Sequence, residues 1–313
     1  MANGAFNLTA GAAVDLIDVQ SRTNKAGNDI NINAVGDIQI RYVSAGLYID
    51  NASNAPTVSD GSSGTINLAT EKVTSAGNVN LTSGGKVYET FVDDAVDVVA
   101  NQLVVRAQTG FTGVEAALNV LDARTVTGSI TLSELDGVYE KTAGLDVLRA
   151  EITTPTAGMD KVNLTTQSEL RVGKVYVDAT NQGYQGLIKG DSVSLTSQTA
   201  NIAVVRQTNT SAAVIQLTRG VAFNAAGSVQ LYQFFAAPES IDYRAGTFFQ
   251  FGEGSSITRA LPSTLSSDSI IIHSGGSLNL SGALSANRYL ELEAGEDLNL
   301  AGTISIKSTH FDG

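Results

Sequence analysis

The sequence predicts an all-β fold, a β-solenoid in which short parallel strands stack coil upon coil. The main observation is a phrase that recurs ten times: Gly, one or two polar residues, then apolar–polar–apolar. Each phrase is a turn followed by a strand with one apolar face. Such internal repetition is typical of solenoids. In chain order the phrases occupy 27–32, 36–40, 64–68, 77–81, 128–132, 190–195, 227–231, 276–280, 295–300 and 302–306.

A longer period sets the expected length of a coil. Residues 118–124 resemble residues 145–151 at a spacing of 27, and each segment is followed by a further strand. Helix signals are weak, since the best of them (113–118) runs straight into strand-like alternation. We therefore expect coils of roughly 20–30 residues and a rod of about 50–65 Å at about 4.8 Å per strand layer. The competing fold is a β-sandwich with hairpins, for which Asp60-Gly61 and Asp136-Gly137 are candidate turns.

Composition supports a narrow interior. Apolar residues make up 42% of the chain, but aromatics only 6%, and Trp is absent. Ala, Val, Ile and Leu are therefore expected to fill thin stacked layers. We predict one continuous solenoid over 1–313, with a looser aromatic-rich section at about 223–262. Neither end shows an obvious cap, so exposed strand edges are expected to join other copies of the chain or flanking solenoid segments end to end.

Charge and cysteine content restrict the function. The formal net charge is −12, which disfavours nucleic-acid binding because phosphate contacts depend on Lys and Arg. The absence of Cys excludes disulfides, thiol catalysis and Cys-ligated zinc. No apolar run is long enough to insert into a membrane. Residues 1–6 lack the features of a signal peptide, so we expect the export signal to lie outside this chain.

Catalytic and metal-binding motifs are scarce. Asp93 and Asp94 with Asp97 could hold calcium or form an acid–base pair, but a solvated turn is the favoured interpretation. The two histidines, His273 and His310, are too few for a three-ligand zinc site. We predict no catalytic residue, no metal and no cofactor. A polysaccharide-cleaving β-helix would instead be expected to cluster three or more carboxylates on one face of adjacent coils.

One region departs from the repeat. Eight of the nineteen aromatic residues fall between 223 and 251. Rings beside charged groups could stack on sugars or anchor a protein partner. The alternative is a wider coil whose larger cross-section needs larger side chains. The predicted recognition patch comprises Tyr232, Phe234, Phe235, Tyr243, Arg244, Phe248, Phe249 and Phe251.

The phrases at 77–85 and 290–306 resemble the repeats of filamentous-haemagglutinin-type proteins. The resemblance implies a right-handed parallel β-helix from a large bacterial surface protein, located extracellularly or at the cell surface. It also implies adhesion, aggregation or filament building, with surface glycans or host or neighbour-cell proteins as possible partners. The Asn-Pro-Asn secretion motif of that family is absent. We therefore expect a non-enzymatic structural or adhesive shaft segment; the alternative is a carbohydrate-binding or carbohydrate-cleaving parallel β-helix.

Overall fold

The chain is all-β in the computed structural model, which contains no helix among the residues it describes. These residues are 4–21, 28–45, 57–59, 65–67, 77–89, 95–135, 144–173, 186–204, 215–227, 229–231, 240–245, 249–251, 265–274, 278–294 and 297–306. In this part of the chain no helix is both long and apolar enough to cross a membrane. The predicted all-β class is confirmed.

The described residues form twenty-five strands. They are β1 (Phe6–Ala10), β2 (Val14–Leu16), β3 (Val19–Ser21), β4 (Ile30–Ala34), β5 (Ile38–Ile40), β6 (Val43–Ala45), β7 (Thr57–Ser59), β8 (Thr65–Asn67), β9 (Asn78–Ser83), β10 (Val87–Glu89), β11 (Val98–Ala107), β12 (Phe111–Thr125), β13 (Ile130–Glu134), β14 (Leu145–Ile152), β15 (Lys161–Thr166), β16 (Leu170–Val172), β17 (Leu187–Ser197), β18 (Ile202–Val204), β19 (Ile215–Ala225), β20 (Val229–Leu231), β21 (Ser240–Ala245), β22 (Phe249–Phe251), β23 (Leu265–Ser274), β24 (Leu278–Ala294) and β25 (Leu298–Ile306).

Parallel pairing organises these strands into three ladders. The first ladder runs through β1, β4, β9, β11, β12, β14, β16, β18, β20, β22, β24 and β25. The second runs through β2, β5, β10, β12, β13, β15, β17, β19, β21, β23 and β24, and the third joins β3, β6, β11 and β12. Long strands such as β12 take part in more than one ladder. Apart from β7 and β8, each strand inside a ladder therefore pairs with one counterpart earlier and one later along the chain, and β14 also pairs with β17 of the second ladder.

The step between paired strands varies along the chain. Hydrogen-bonded side chains on neighbouring strands are 24 residues apart at Asn7 and Asn31, and 18 apart at Asn101 and Asn119. The predicted spacing of 27 is present where Asp122 pairs with Arg149, after a register shift in β12. The connections between strands differ in length, so the step varies, and four of the described strand pairs also contain a register shift.

One predicted repeat phrase is not part of the ladders. The phrase at 64–68 was expected to form a coil strand, but its strand β8 pairs antiparallel with β7, with Val58 opposite Ile66. The Asp60-Gly61 turn signal falls between these two strands in the sequence, outside the described residues. This insertion makes the step from β4 to β9 unusually long, with Asn31 and Asn80 separated by 49 residues.

The core lies along the inward faces of the ladders and is mainly aliphatic. Ile30, Val79 and Leu103 occupy one column and are fully buried. Most of the buried apolar residues between Leu16 and Val229 form one continuous cluster, and a second, smaller cluster contains Tyr42, Val96, Val99 and Ala117. The inward faces of neighbouring strands thus pack mainly aliphatic side chains against one another, in keeping with the low aromatic content.

Polar residues of the turns and outer faces bond along the stacking direction. Asn80 donates to Asn31 at 2.8 Å, and Asn31 donates to Asn7 at 2.9 Å. The carboxylate of Asp29 accepts from the backbone N–H of Asn78 at 2.8 Å. A similar bond joins Asp37 to the N–H of Lys86 at 2.7 Å. These Gly-Asx aspartates therefore satisfy backbone donors of the next coil.

Candidate functional site

The predicted recognition patch is only partly within the described residues. Tyr232, Phe234, Phe235 and Phe248 lie outside them, whereas Tyr243 and Arg244 belong to β21, and Phe249 and Phe251 belong to β22.

Register relates the patch residues in these two strands to the neighbouring coil. Tyr243 pairs with the buried Phe223, and Phe249 pairs with the buried Val229. Arg244, in contrast, pairs with the exposed Asn224. The recognition patch remains a prediction.

A group of three carboxylates forms a more compact arrangement, here called the carboxylate cluster: Glu89, Asp97 and Glu115. Their nearest carboxylate oxygens all lie within 4.8 Å of one another. Glu89 ends β10, Asp97 immediately precedes β11, and Glu115 lies within β12. Parallel pairing of β10 and β11 with β12 brings the three residues together.

Backbone hydrogen bonds hold the cluster in place. The N–H of Glu115 donates to the Asp97 carboxylate at 2.8 Å, and the N–H of Asp97 donates to the Glu115 carbonyl at 2.8 Å. Asp97 is 3% exposed, whereas Glu89 and Glu115 are half-buried. The central carboxyl group of the cluster is therefore fixed to the backbone and enclosed by protein.

Burial is the main cause of the shifted pKa of Asp97 in the carboxylate cluster. It raises the pKa of Asp97 from 3.8 to about 10, and the charges of Glu89 and Glu115 act in the same direction. The hydrogen bond from the Glu115 N–H partly opposes this rise. Asp97 is consequently protonated at neutral pH and can donate a hydrogen bond. A hard cation such as Ca²⁺ could replace this proton, because it prefers oxygen ligands.

The sequence identified only one member of this cluster. Asp97 was a candidate, but its proposed companions Asp93 and Asp94 lie outside the described residues. Glu89 and Glu115 were missed. The useful signal was the coil step of 18 residues, which separates Asp97 from Glu115 as it separates Asn101 from Asn119.

A charged network on the outer face, the arginine–carboxylate ladder, was also missed. It comprises Arg106, Asp122, Arg124, Arg149 and Glu151. Asp122 lies 2.7 Å from Arg106 and 3.5 Å from Arg149, so two arginines from different coils share one carboxylate. Glu151 lies 3.6 Å from Arg124. The arginine–carboxylate ladder links the three strands β11, β12 and β14 and has the geometry of a stabilising network.

A second ionic group is buried. Arg171 is 7% exposed and donates through Nε to Asp146, which is 1% exposed. Its Nη1 also donates to Glu169 at 3.0 Å. Neighbouring carboxylates raise the pKa of Arg171 despite the opposing effect of burial, so the guanidinium remains charged. The buried Arg171–Asp146 pair compensates two opposite charges in the protein interior, which is consistent with a structural role.

Comparisons with known proteins found no match to a protein-family model, to a curated protein or to a solved structure.

Proposed function

We propose that the three ladders are faces of a right-handed parallel β-helix, and that the chain is a non-enzymatic shaft segment of a large cell-surface or secreted protein. The observation that carries this proposal is the parallel pairing that continues from β1 to β25. The proposed task of the shaft segment is mechanical: it would project, space or link surfaces. Copies or flanking solenoid segments would join it end to end.

The physical basis is additive stacking. Each coil buries an aliphatic layer against its neighbours, so stability is close to a sum of nearest-neighbour terms. Polar ladders such as Asn7–Asn31–Asn80 connect the same layers on the outside. Roughly a dozen layers at about 4.8 Å would give a rod of roughly 55–60 Å. A body of this kind transmits force along its length.

Electron microscopy and small-angle X-ray scattering of the purified chain test the shaft proposal. We expect elongated particles of about this length, with a spacing near 4.8 Å along the long axis. A compact, near-spherical particle would contradict the proposal. Surface labelling of cells that produce the full protein tests its proposed extracellular location.

Adhesion is the second part of the proposal, with surface glycans or host or neighbour-cell proteins as the partners. Its candidate surface is the aromatic patch around β21 and β22. Replacement of Tyr243 and Arg244 by Ser should reduce binding to a glycan array or to cells while the far-ultraviolet circular dichroism spectrum is retained. Unchanged binding would assign these residues to packing.

A carbohydrate-cleaving β-helix is the second candidate function, because the carboxylate cluster is the arrangement that such an enzyme would require. Retaining glycosidases place two carboxyl groups about 5–5.5 Å apart, with both able to reach the sugar. The cluster is tighter than this, and Asp97 is enclosed. These features favour a structural role. Release of reducing ends from acidic or neutral polysaccharides, abolished by Glu115→Gln, would instead establish cleavage.

A further inference from the structure

One outer face of the stack presents positive charge to solvent, although the chain as a whole is acidic. Its cationic side chains, here called the cationic strip, come from β11, β12, β14 and β17: Arg106, Arg124, Arg149 and Lys189. The three arginine side chains are 35%, 49% and 38% exposed, whereas their partners Asp122 and Glu151 are 12% and 16% exposed. The carboxylates therefore lie beneath the guanidinium groups. Together with these two carboxylates, the strip has an excess of two positive charges in a chain whose net charge is −12.

Strand register places the charges of this face side by side. Arg106 pairs with Arg124, Arg124 pairs with Glu151, and Glu151 pairs with Lys189. Like charges in directly paired positions destabilise a sheet. The repulsion between Arg106 and Arg124 is offset from below by the two more buried carboxylates. An anion bound from the solvent side would compensate it further.

Two of the arginines keep hydrogen-bonding capacity for a ligand. Arg124 Nε lies 3.6 Å from Glu151, and Arg149 Nε lies 3.5 Å from Asp122, which are ion-pair distances too long for good hydrogen bonds. Arg106, in contrast, donates to the Asp122 carboxylate at 2.7 Å and to two backbone carbonyls. Arg106 is therefore fixed within the stack, whereas the N–H groups of Arg124 and Arg149 can turn towards a ligand.

We propose that the cationic strip binds an acidic polysaccharide whose sugars carry carboxylates, a polyuronate, with the sugar chain running along the stack. The planar guanidinium group matches a carboxylate with two parallel hydrogen bonds. Successive strands are about 4.8 Å apart, which is close to the length of one pyranose unit, so each strand meets about one sugar. Thr82 is exposed and pairs with Arg106, and its hydroxyl can bond to a sugar hydroxyl. The inference rests on the adhesive part of the proposed function and gives it a glycan class and a surface apart from the aromatic patch.

Charge density favours a polyuronate over other polyanions. Double-stranded DNA carries one negative charge per about 1.7 Å of its axis. The strip has an excess of only two positive charges, and the rest of the chain is net negative. A densely charged nucleic acid or sulfated glycan is therefore repelled wherever it extends beyond the strip. A polyuronate carries one charge per sugar, which is a closer match to one cationic side chain per strand.

Isothermal titration calorimetry of the full chain with polygalacturonate tests this inference. We expect binding at low salt that weakens in 1 M salt, because the charges of the strip are exposed. Arg124→Gln should weaken binding about tenfold, through the loss of charge-assisted hydrogen bonds to a carboxylate. Its only ion pair among the described residues is long and exposed, so the far-ultraviolet circular dichroism spectrum should be retained. Lys161→Gln is the matched control: it removes one positive charge at an exposed position at the start of β15 and should bind as the native chain does.

The other polymers distinguish the possible ligands. Fully methyl-esterified polygalacturonate has no charge and should not bind. Equal weakening by Arg124→Gln and Lys161→Gln, or tighter binding of double-stranded DNA or dextran sulfate than of polygalacturonate, would overturn the inference. A rod-shaped particle that binds no polygalacturonate would overturn it as well and leave the shaft function standing. A near-spherical particle whose binding depends on Arg124 would refute the shaft function and support the polyuronate site.

Discussion

Replacing Asp97 by Asn provides the sharpest test of the carboxylate cluster. The amide has nearly the same shape, and its oxygen can still accept from the Glu115 N–H, a bond of 2.8 Å in the native chain. The variant cannot ionise. It therefore separates the electrostatic effect of Asp97 from its packing.

The pH dependence follows from the raised pKa. The folded-state pKa of Asp97 is about 10, against 3.8 as the reference value. The stability contributed by this group is fully present below the lower value and is lost as pH rises toward the higher one. At pH values between these two pKa values, unfolding releases close to one proton from Asp97. The free energy of unfolding should therefore fall by about 1.4 kcal/mol per pH unit relative to the variant.

Urea unfolding at pH 6, 7 and 8, followed by circular dichroism, measures this difference. The stability of Asp97→Asn relative to the native chain should increase by about 3 kcal/mol over the two pH units. Asp15→Asn removes one carboxylate from an exposed position, where it lies 3.9 Å from Arg41, and reports the effect of the same change in net charge at a weakly paired surface site. Parallel stability curves for the native chain and Asp97→Asn would refute the assignment of a neutral, buried Asp97. Calcium that stabilises the native chain at neutral pH, but not the variant, would show that a cation replaces the proton.

Three further substitutions test the packing of the stack by urea unfolding. Asp146→Ala leaves the buried charge of Arg171 with Glu169 as a remaining carboxylate partner and should cost about 1–3 kcal/mol; a loss below about 1 kcal/mol would contradict a structural ion pair. Gly128→Ala should cost more than about 1–2 kcal/mol, because Gly128 has a φ of 79° and an added Cβ would lie 2.1 Å from the Thr109 carbonyl oxygen. Gly4→Ala is the control and should be nearly neutral, because a Cβ added at Gly4 would have no atom within 4 Å. Asp122→Asn should cost about 0.2–1 kcal/mol at low salt and less in 1 M salt, since its arginine partners are partly exposed; a loss unaffected by salt would exclude a screened ionic network.

The local alternation of apolar and polar residues was sufficient to predict most of the strands. The alternation at 77–81 predicts β9, and that at 128–132 predicts β13, because period-two alternation requires one buried face. The spacing of 27 also relates Asp122 to Arg149 correctly. The phrase at 64–68 was misleading, since the same alternation suits a hairpin and a coil strand equally well. Only the long-range pairing partner distinguishes the two.

The candidate sites could not be predicted in the same way. Asp97 and Glu115 meet because one coil step is 18 residues, whereas Asn31 and Asn80 meet across 49. No single period predicts both contacts. The pKa of Asp97 depends on its enclosure by neighbouring strands, and enclosure is a property of the stack.

The sequence by itself determined the all-β class, the inward aliphatic face of each strand and the polar character of the turns, because these depend on residues a few positions apart. The tertiary structure decided which coils are neighbours. It thereby produced the carboxylate cluster and the arginine–carboxylate ladder. The physical reason is that a contact between coils depends on the cumulative length of the corners and insertions between them, and small changes in that length change which side chains meet.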